Sequence, residues 1–161
     1  MNGGAPWRRL ALAGAWLACA ACTPGRAEVV EAVRAYDAAL VTAYRTGDAG
    51  PLSRFAGPDE VRRVTVLLEL KRDSGVVLES ALESFEATRV EVRGTEATVT
   101  TAERWRYHDR PLDPTRPAGE VHRADMVLSY HLAREGGAWK VRSASTDSSH
   151  DLLPEGHRPG R

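Results

Sequence analysis

The period of the hydrophobic pattern changes halfway along this chain, and that change limits the fold more than any single motif does. Val29, Val33, Tyr36, Leu40 and Ala43 fall three or four residues apart, the spacing of one helical face. They predict a helix over 28–46, stopped by Gly47 in the turn-forming run Gly-Asp-Ala-Gly-Pro. A short second helix is predicted over 51–55. Gly57-Pro58-Asp59 then restarts the chain, with proline suited to a first helical turn. Val61, Val64, Leu67 and Leu68 carry the helical spacing on to Asp73-Ser74-Gly75.

Beyond that point the residues alternate and become rich in Val, Thr and aromatics, as strands are. Strands are predicted over 84–92, 97–108, 120–134 and 138–145. Arg93-Gly94-Thr95-Glu96 reads as one hairpin turn, and Gly136-Gly137 as a second of the kind hairpins favour. The loop from Asp109 to Gly119 holds Pro111, Pro114 and Pro117 and is expected to form a lip over one end of the sheet. From Thr146 to Arg161 no period is visible, and a loose tail is expected. Helices followed by an antiparallel meander define an α+β class, here helices packed on a curved, cone-shaped sheet, as one domain over 28–145.

The first residues have a different character. Arg8 and Arg9 precede an uncharged apolar stretch from Leu10 to Ala21, which ends at Cys22. A basic segment, a short apolar segment and small residues before a cut are the three parts of a secretory signal. The stretch is shorter than the ~20 apolar residues of a spanning helix. Leu17-Ala18-Cys19 and Ala20-Ala21-Cys22 both resemble the bacterial lipobox, in which small residues precede a cysteine that is acylated. Cys22 is the expected lipid attachment site, with Cys19 the alternative. Thr23-Pro24-Gly25-Arg26-Ala27 follows as a tether. The expected location is extracytoplasmic, anchored to a periplasmic or cell-surface membrane; ordinary cleavage near Cys19 would instead give a soluble secreted protein. The chain has only these two cysteines, so the expected domain has no disulfide or thiolate metal site. Its 22 basic and 22 acidic side chains balance, which leaves no electrostatic footprint for nucleic acid.

The order of elements resembles that of the nuclear-transport-factor-two-like superfamily, which includes ketosteroid-isomerase-like and polyketide-cyclase-like proteins. The residues that carry the likeness are Tyr36, Tyr44 and Asp48 in the first helical region, and Met126-Val127-Leu128-Ser129-Tyr130-His131-Leu132 with Trp139-Lys140-Val141 at the end. The run from Ala97 to Trp105, followed later by Gly-Gly-Ala-Trp-Lys-Val, is similar to the IMS-type domain of plastid-division proteins and bacterial relatives. The resemblance implies a cone-shaped cavity. A fold of this kind does not by itself assign an activity.

Strand register supplies the candidate sites. If the first hairpin turns at Gly94-Thr95, Val92 faces Ala97, Val90 faces Val99 and Glu86 faces Glu103. Parity then puts Val99, Thr101, Glu103, Trp105 and Tyr107 on one side of the sheet. Two carboxylates among aromatics could make a general acid or base. A bulge or strand curvature would instead turn one of them to solvent, and Arg104 or Arg106 would neutralise it. Trp105, Tyr107, Met126 and Tyr130 are expected to line an apolar pocket or to fill the core. His108 and His131 fall on the face opposite His122, and His150 and His157 lie in the tail, so no metal or other cofactor is expected. Three readings follow. One is a lipid-anchored, non-enzymatic module that binds a small apolar ligand or a protein partner. Another is an isomerase- or cyclase-like enzyme using Glu86 and Glu103. The third is a homodimer formed through the sheet face.

Overall fold

The computed structural model describes residues 24–152. The expected signal segment with Cys19 and Cys22, and the end of the chain with His157, lie outside the described residues. Helix α1 spans Pro24–Thr46 and buries the predicted stripe of Val29, Val33, Tyr36, Leu40 and Ala43. It begins earlier than the apolar pattern suggested, so residues 24–27 are helical and do not form a tether. Arg26 Nη2 donates to the Val90 carbonyl (2.7 Å), which fastens the start of the helix to the sheet. Gly47 ends α1 at φ +70°, its N–H donating to the Ala43 carbonyl at 2.8 Å. This left-handed stop favours glycine.

A 3₁₀ turn, Gly50–Arg54, leads to helix α2, Pro58–Asp73. Asp59 and Glu60 occupy the first turn of α2, and Lys71 and Arg72 the last, each matching the helix dipole. No described helix is long and apolar enough to cross a membrane.

The rest is a four-stranded antiparallel sheet of strands β1 (Val76–Arg93), β2 (Glu96–Pro111), β3 (His122–Glu135) and β4 (Ala138–Leu152), in that order. Both predicted hairpin turns lie where expected, with Gly94, Gly136 and Gly137 at positive φ. The molecule is thus α+β, two helices on one face of an open sheet. Val99 and Trp105 of β2 and Ala124, Tyr130 and Leu132 of β3 are buried on the helix side. The other face carries ion pairs between Arg110 and Glu79 (2.7 Å) and between Arg104 and Asp125 (2.7 Å). There Arg106 and Arg123 also both reach Glu83, at 3.3 Å. An antiparallel sheet can stay wet on one side in this way.

Two expectations about strand length need correcting. β4 continues to Leu152, so residues 146–152 form a strand where a tail was expected. The ladder needs backbone partners, not apolar side chains, and Met126, Val127 and Asp125 pair with Ser149, Ser148 and His150. Ser129 Oγ further donates to Asp147 at 2.6 Å. β1 begins at Val76 rather than Ser84, because a bulge at Glu83 breaks the alternation between its two halves.

The start of α1 lies beside the hairpin ends, through Arg26 on Val90 and an Arg134–Glu28 pair (3.2 Å). Its second half runs toward the opposite end of the sheet. There Lys71 of α2 pairs with Asp109 at 2.7 Å, and the proline-rich loop folds back so that Gly119 N–H donates to the Asp109 carbonyl at 2.8 Å. A Cβ at Gly119 would stand 3.0 Å from that carbonyl, so the close approach favours glycine.

Candidate functional site

Between the helices and the sheet lies a cavity of about 300 Å³. Tyr36, Leu40 and Tyr44 of α1 and Arg63 of α2 form one wall. The sheet wall includes Leu78 and Ser80 of β1, Trp105 and Tyr107 of β2, and Met126, Leu128 and Tyr130 of β3, with Ala144 and Thr146 of β4. The structure therefore brings together Trp105, Tyr107, Met126 and Tyr130, the four side chains that strand parity placed on one face. A second depression shares Leu78 and Tyr107 with the first and is bounded by His108, Gly119, Glu120 and His122. Tyr107 and His122 stack there with ring centres 5.5 Å apart.

The two predicted carboxylates part company. Val92 faces Ala97 and Val90 faces Val99, as the hairpin arithmetic required. Thr88 then bulges, so Glu103 faces Phe85, while Glu86 faces Ala102 and is exposed. One inserted residue reverses the parity of the strand beyond it. The Glu86–Glu103 pair does not form. Arg104 and Arg106 do not neutralise Glu103 either, since they point to the far face and pair with Asp125 and Glu83.

Glu103 is 3 % exposed and has a different acidic neighbour, Asp37 of α1, at 1 %. Glu103 accepts three hydrogen bonds: Thr101 Oγ1 to Oε1 (2.7 Å), Trp105 Nε1 to Oε2 (2.6 Å) and the Tyr130 hydroxyl to Oε1 (3.0 Å). The same Tyr130 hydroxyl lies 3.0 Å from Asp37 Oδ1. A phenol has one proton and cannot donate to two carboxylates at once. The group that supplies the second proton is Asp37, whose pKa is pushed up to about 8, first by burial and then by the Glu103 charge. The chain therefore runs from the Asp37 carboxyl proton to the Tyr130 oxygen, and from the Tyr130 hydroxyl to Glu103. Asp37 Oδ2 has no partner, a smaller cost for a neutral acid than for an anion. Burial, Asp37 and Glu103 all raise the Tyr130 pKa, so the phenol stays protonated.

A second buried acid, Glu60, anchors the other wall. The Tyr36 hydroxyl donates to it, and Arg63 grips it through Nε at 2.9 Å and Nη2 at 2.5 Å. Such a two-point pair is among the stronger ionic contacts. These bonds hold Arg63 firmly charged. Tyr36 also meets Tyr130 edge-on, with ring centres 6.1 Å apart, which links the two acid clusters.

The sequence reading missed Asp37, Glu60 and Ser80. Asp37 did leave a trace, because it follows Val33 by four residues and sits on the apolar stripe of α1. Asp48, part of the family-like pattern, instead accepts from Gly50 N–H at 2.8 Å and shapes the turn. Of the other histidines, His131 lies 3.4 Å from Thr98 Oγ1, exposed on the outer face.

No family model and no curated protein matches this chain. Solved structures do. The intermembrane space region of chloroplast protein ARC6 superposes with a TM-score of 0.67 at 14 % identity, over 75 % of this chain and 95 % of that one. A putative dehydratase of the NTF2-like family from Streptomyces avermitilis gives 0.51 at 18 % identity, over 80 % and 99 %. A ketosteroid isomerase-like protein from Erwinia carotovora atroseptica gives 0.51 at 16 % identity, over 78 % and 98 %. The chain shares the fold of these NTF2-like structures, and at such identities the likeness concerns the fold alone.

Proposed function

We propose that this protein is an exported, lipid-anchored binding module that holds a small, largely apolar molecule in its cavity. The observation that carries this reading is the separation of cavity from carboxylates. The walls are largely aromatic and aliphatic, while Asp37 and Glu103 are absent from the lining and share the Tyr130 hydroxyl, with Trp105 Nε1 also bonded to Glu103. Apolar walls with a few fixed polar groups are the usual form of a small-molecule site.

Native mass spectrometry of protein extracted from membranes tests both halves together. The expected result is an acylated N-terminus and an adduct that Met126→Trp, which fills the cavity, removes. Cys22→Ala should release the protein into the soluble fraction; retention with Cys19 also replaced would sink the anchoring. An unmodified N-terminus would do the same.

The second reading is catalysis, supported by one observation: Tyr130, which lines the cavity, shares its hydroxyl with the buried carboxyls of Asp37 and Glu103. Two of the structural neighbours are described as a dehydratase and as isomerase-like. An enzyme that moves a carbon-bound proton would wash deuterium from D₂O into its ligand, and Tyr130→Phe would stop it. Under the binding reading the recovered ligand carries no deuterium.

A further inference from the structure

Resting on the binding reading above, we infer that the cavity selects an uncharged molecule with one hydrogen-bonding oxygen, a hydroxyl or a carbonyl, and that Ser80 is the residue that receives it. Among the described residues Arg63 is the one charged side chain that lines the cavity, and Glu60 occupies its Nε and Nη2. On the opposite side Glu103 already has three donors, and the protonated Asp37 holds Tyr130. Charge on both sides is thus already matched by the protein. Either ion would lose its hydration, and the opposite charge it could approach is already engaged: Arg63 by Glu60 for a carboxylate, and Glu103 by its three donors for an ammonium. A neutral body escapes both penalties and gains contact with Trp105, Tyr107, Met126 and Leu128.

Among the described residues Asp37, Ser80 and Trp139 each have a buried polar atom without a partner, and of the three it is Ser80 that lines the cavity. Its Oγ is screened from solvent with no hydrogen-bond partner. Buried polar atoms are almost always paired, so an unpaired hydroxyl at a cavity wall points to a partner absent from the chain itself. Ser80 sits on β1 directly opposite Tyr107 of β2, beside the aromatic part of the wall. A hydroxyl can give one hydrogen bond and accept two, so it suits either an alcohol or a ketone. A step between staggered χ1 wells is the adjustment that a ligand oxygen would ask of it.

The test uses four probes of one shape: naphthalene, 2-naphthol, 2-naphthoate and 2-naphthylmethylammonium, titrated into the mature protein by calorimetry at pH 7. The expected order places 2-naphthol at least about tenfold tighter than either ion. Ser80→Ala should weaken 2-naphthol by about three- to tenfold and leave naphthalene unchanged. The variant removes an unpaired hydroxyl, and its unchanged melting temperature would show that the fold is intact. Equal or tighter binding of either ion overturns the neutral-ligand inference while the binding module stands. Equal loss of naphthol and naphthalene affinity in Ser80→Ala removes Ser80 from the site. Failure of all four probes to bind overturns the binding reading and this inference with it.

Discussion

Asp37 ties the stability of this protein to pH, and the direction follows from its burial. Its carboxyl titrates near pH 8 in the folded chain against an ordinary value of 3.8. The folded state therefore binds the proton more tightly than the unfolded state does. The stability it contributes is complete below about pH 4 and is lost as pH rises through 8. Urea midpoints should fall between pH 5 and 9 for this reason. Asp37→Asn keeps the shape, can donate an amide N–H to the Tyr130 oxygen and has nothing to ionise, so its midpoints should vary less across that range. An unchanged slope would locate the titration elsewhere. Trp105→Phe tests the neighbouring acid, because it keeps an aromatic wall and deletes one of the three donors to Glu103. A cost of about 1–3 kcal/mol is expected from chemical denaturation. No change would mean that Thr101 and Tyr130 suffice.

The elements of this fold differ in how openly the sequence declares them. The helices and both hairpin turns could be read, since apolar spacing and glycines at positive φ are local signals. The four cavity side chains on β2 and β3 followed from parity for the same reason. The first half of β1 concealed itself because Glu83 interrupts the alternation, and Thr88 hid the register of the second half; a bulge depends on twist and pairing that no short window contains. Deleting Thr88 should straighten β1 without moving its faces, because Ala87 already pairs with Thr101 and Arg89 with Thr100. Urea denaturation should then show a loss of about 1 kcal/mol or less. A loss of about 3 kcal/mol or more would mean that the bend at Thr88 is needed to curve the sheet. Asp37 was hidden for another reason. A carboxyl on an apolar stripe is acceptable only when distant residues satisfy it, and here they are Tyr130 and, through it, Glu103. Serine 145 marked the expected end of β4 because polar strands at a solvated edge carry no apolar signature.

At the scale of the whole molecule, the two ends of α1 have different neighbours. Its first turn is fastened beside the hairpins through Arg26 and Glu28. Tyr36, Leu40 and Tyr44, which wall the cavity, belong to its second half. A helix rises about 1.5 Å per residue, so these three side chains stand roughly 18–30 Å along the axis from Pro24. Cys22 comes two positions before Pro24, the first described residue of α1. If Cys22 is acylated, α1 becomes a short mast planted at the bilayer surface, with the binding chamber carried at its upper part. The module would then sample molecules dissolved in the surrounding water and would be poorly placed to draw lipid from the leaflet that anchors it.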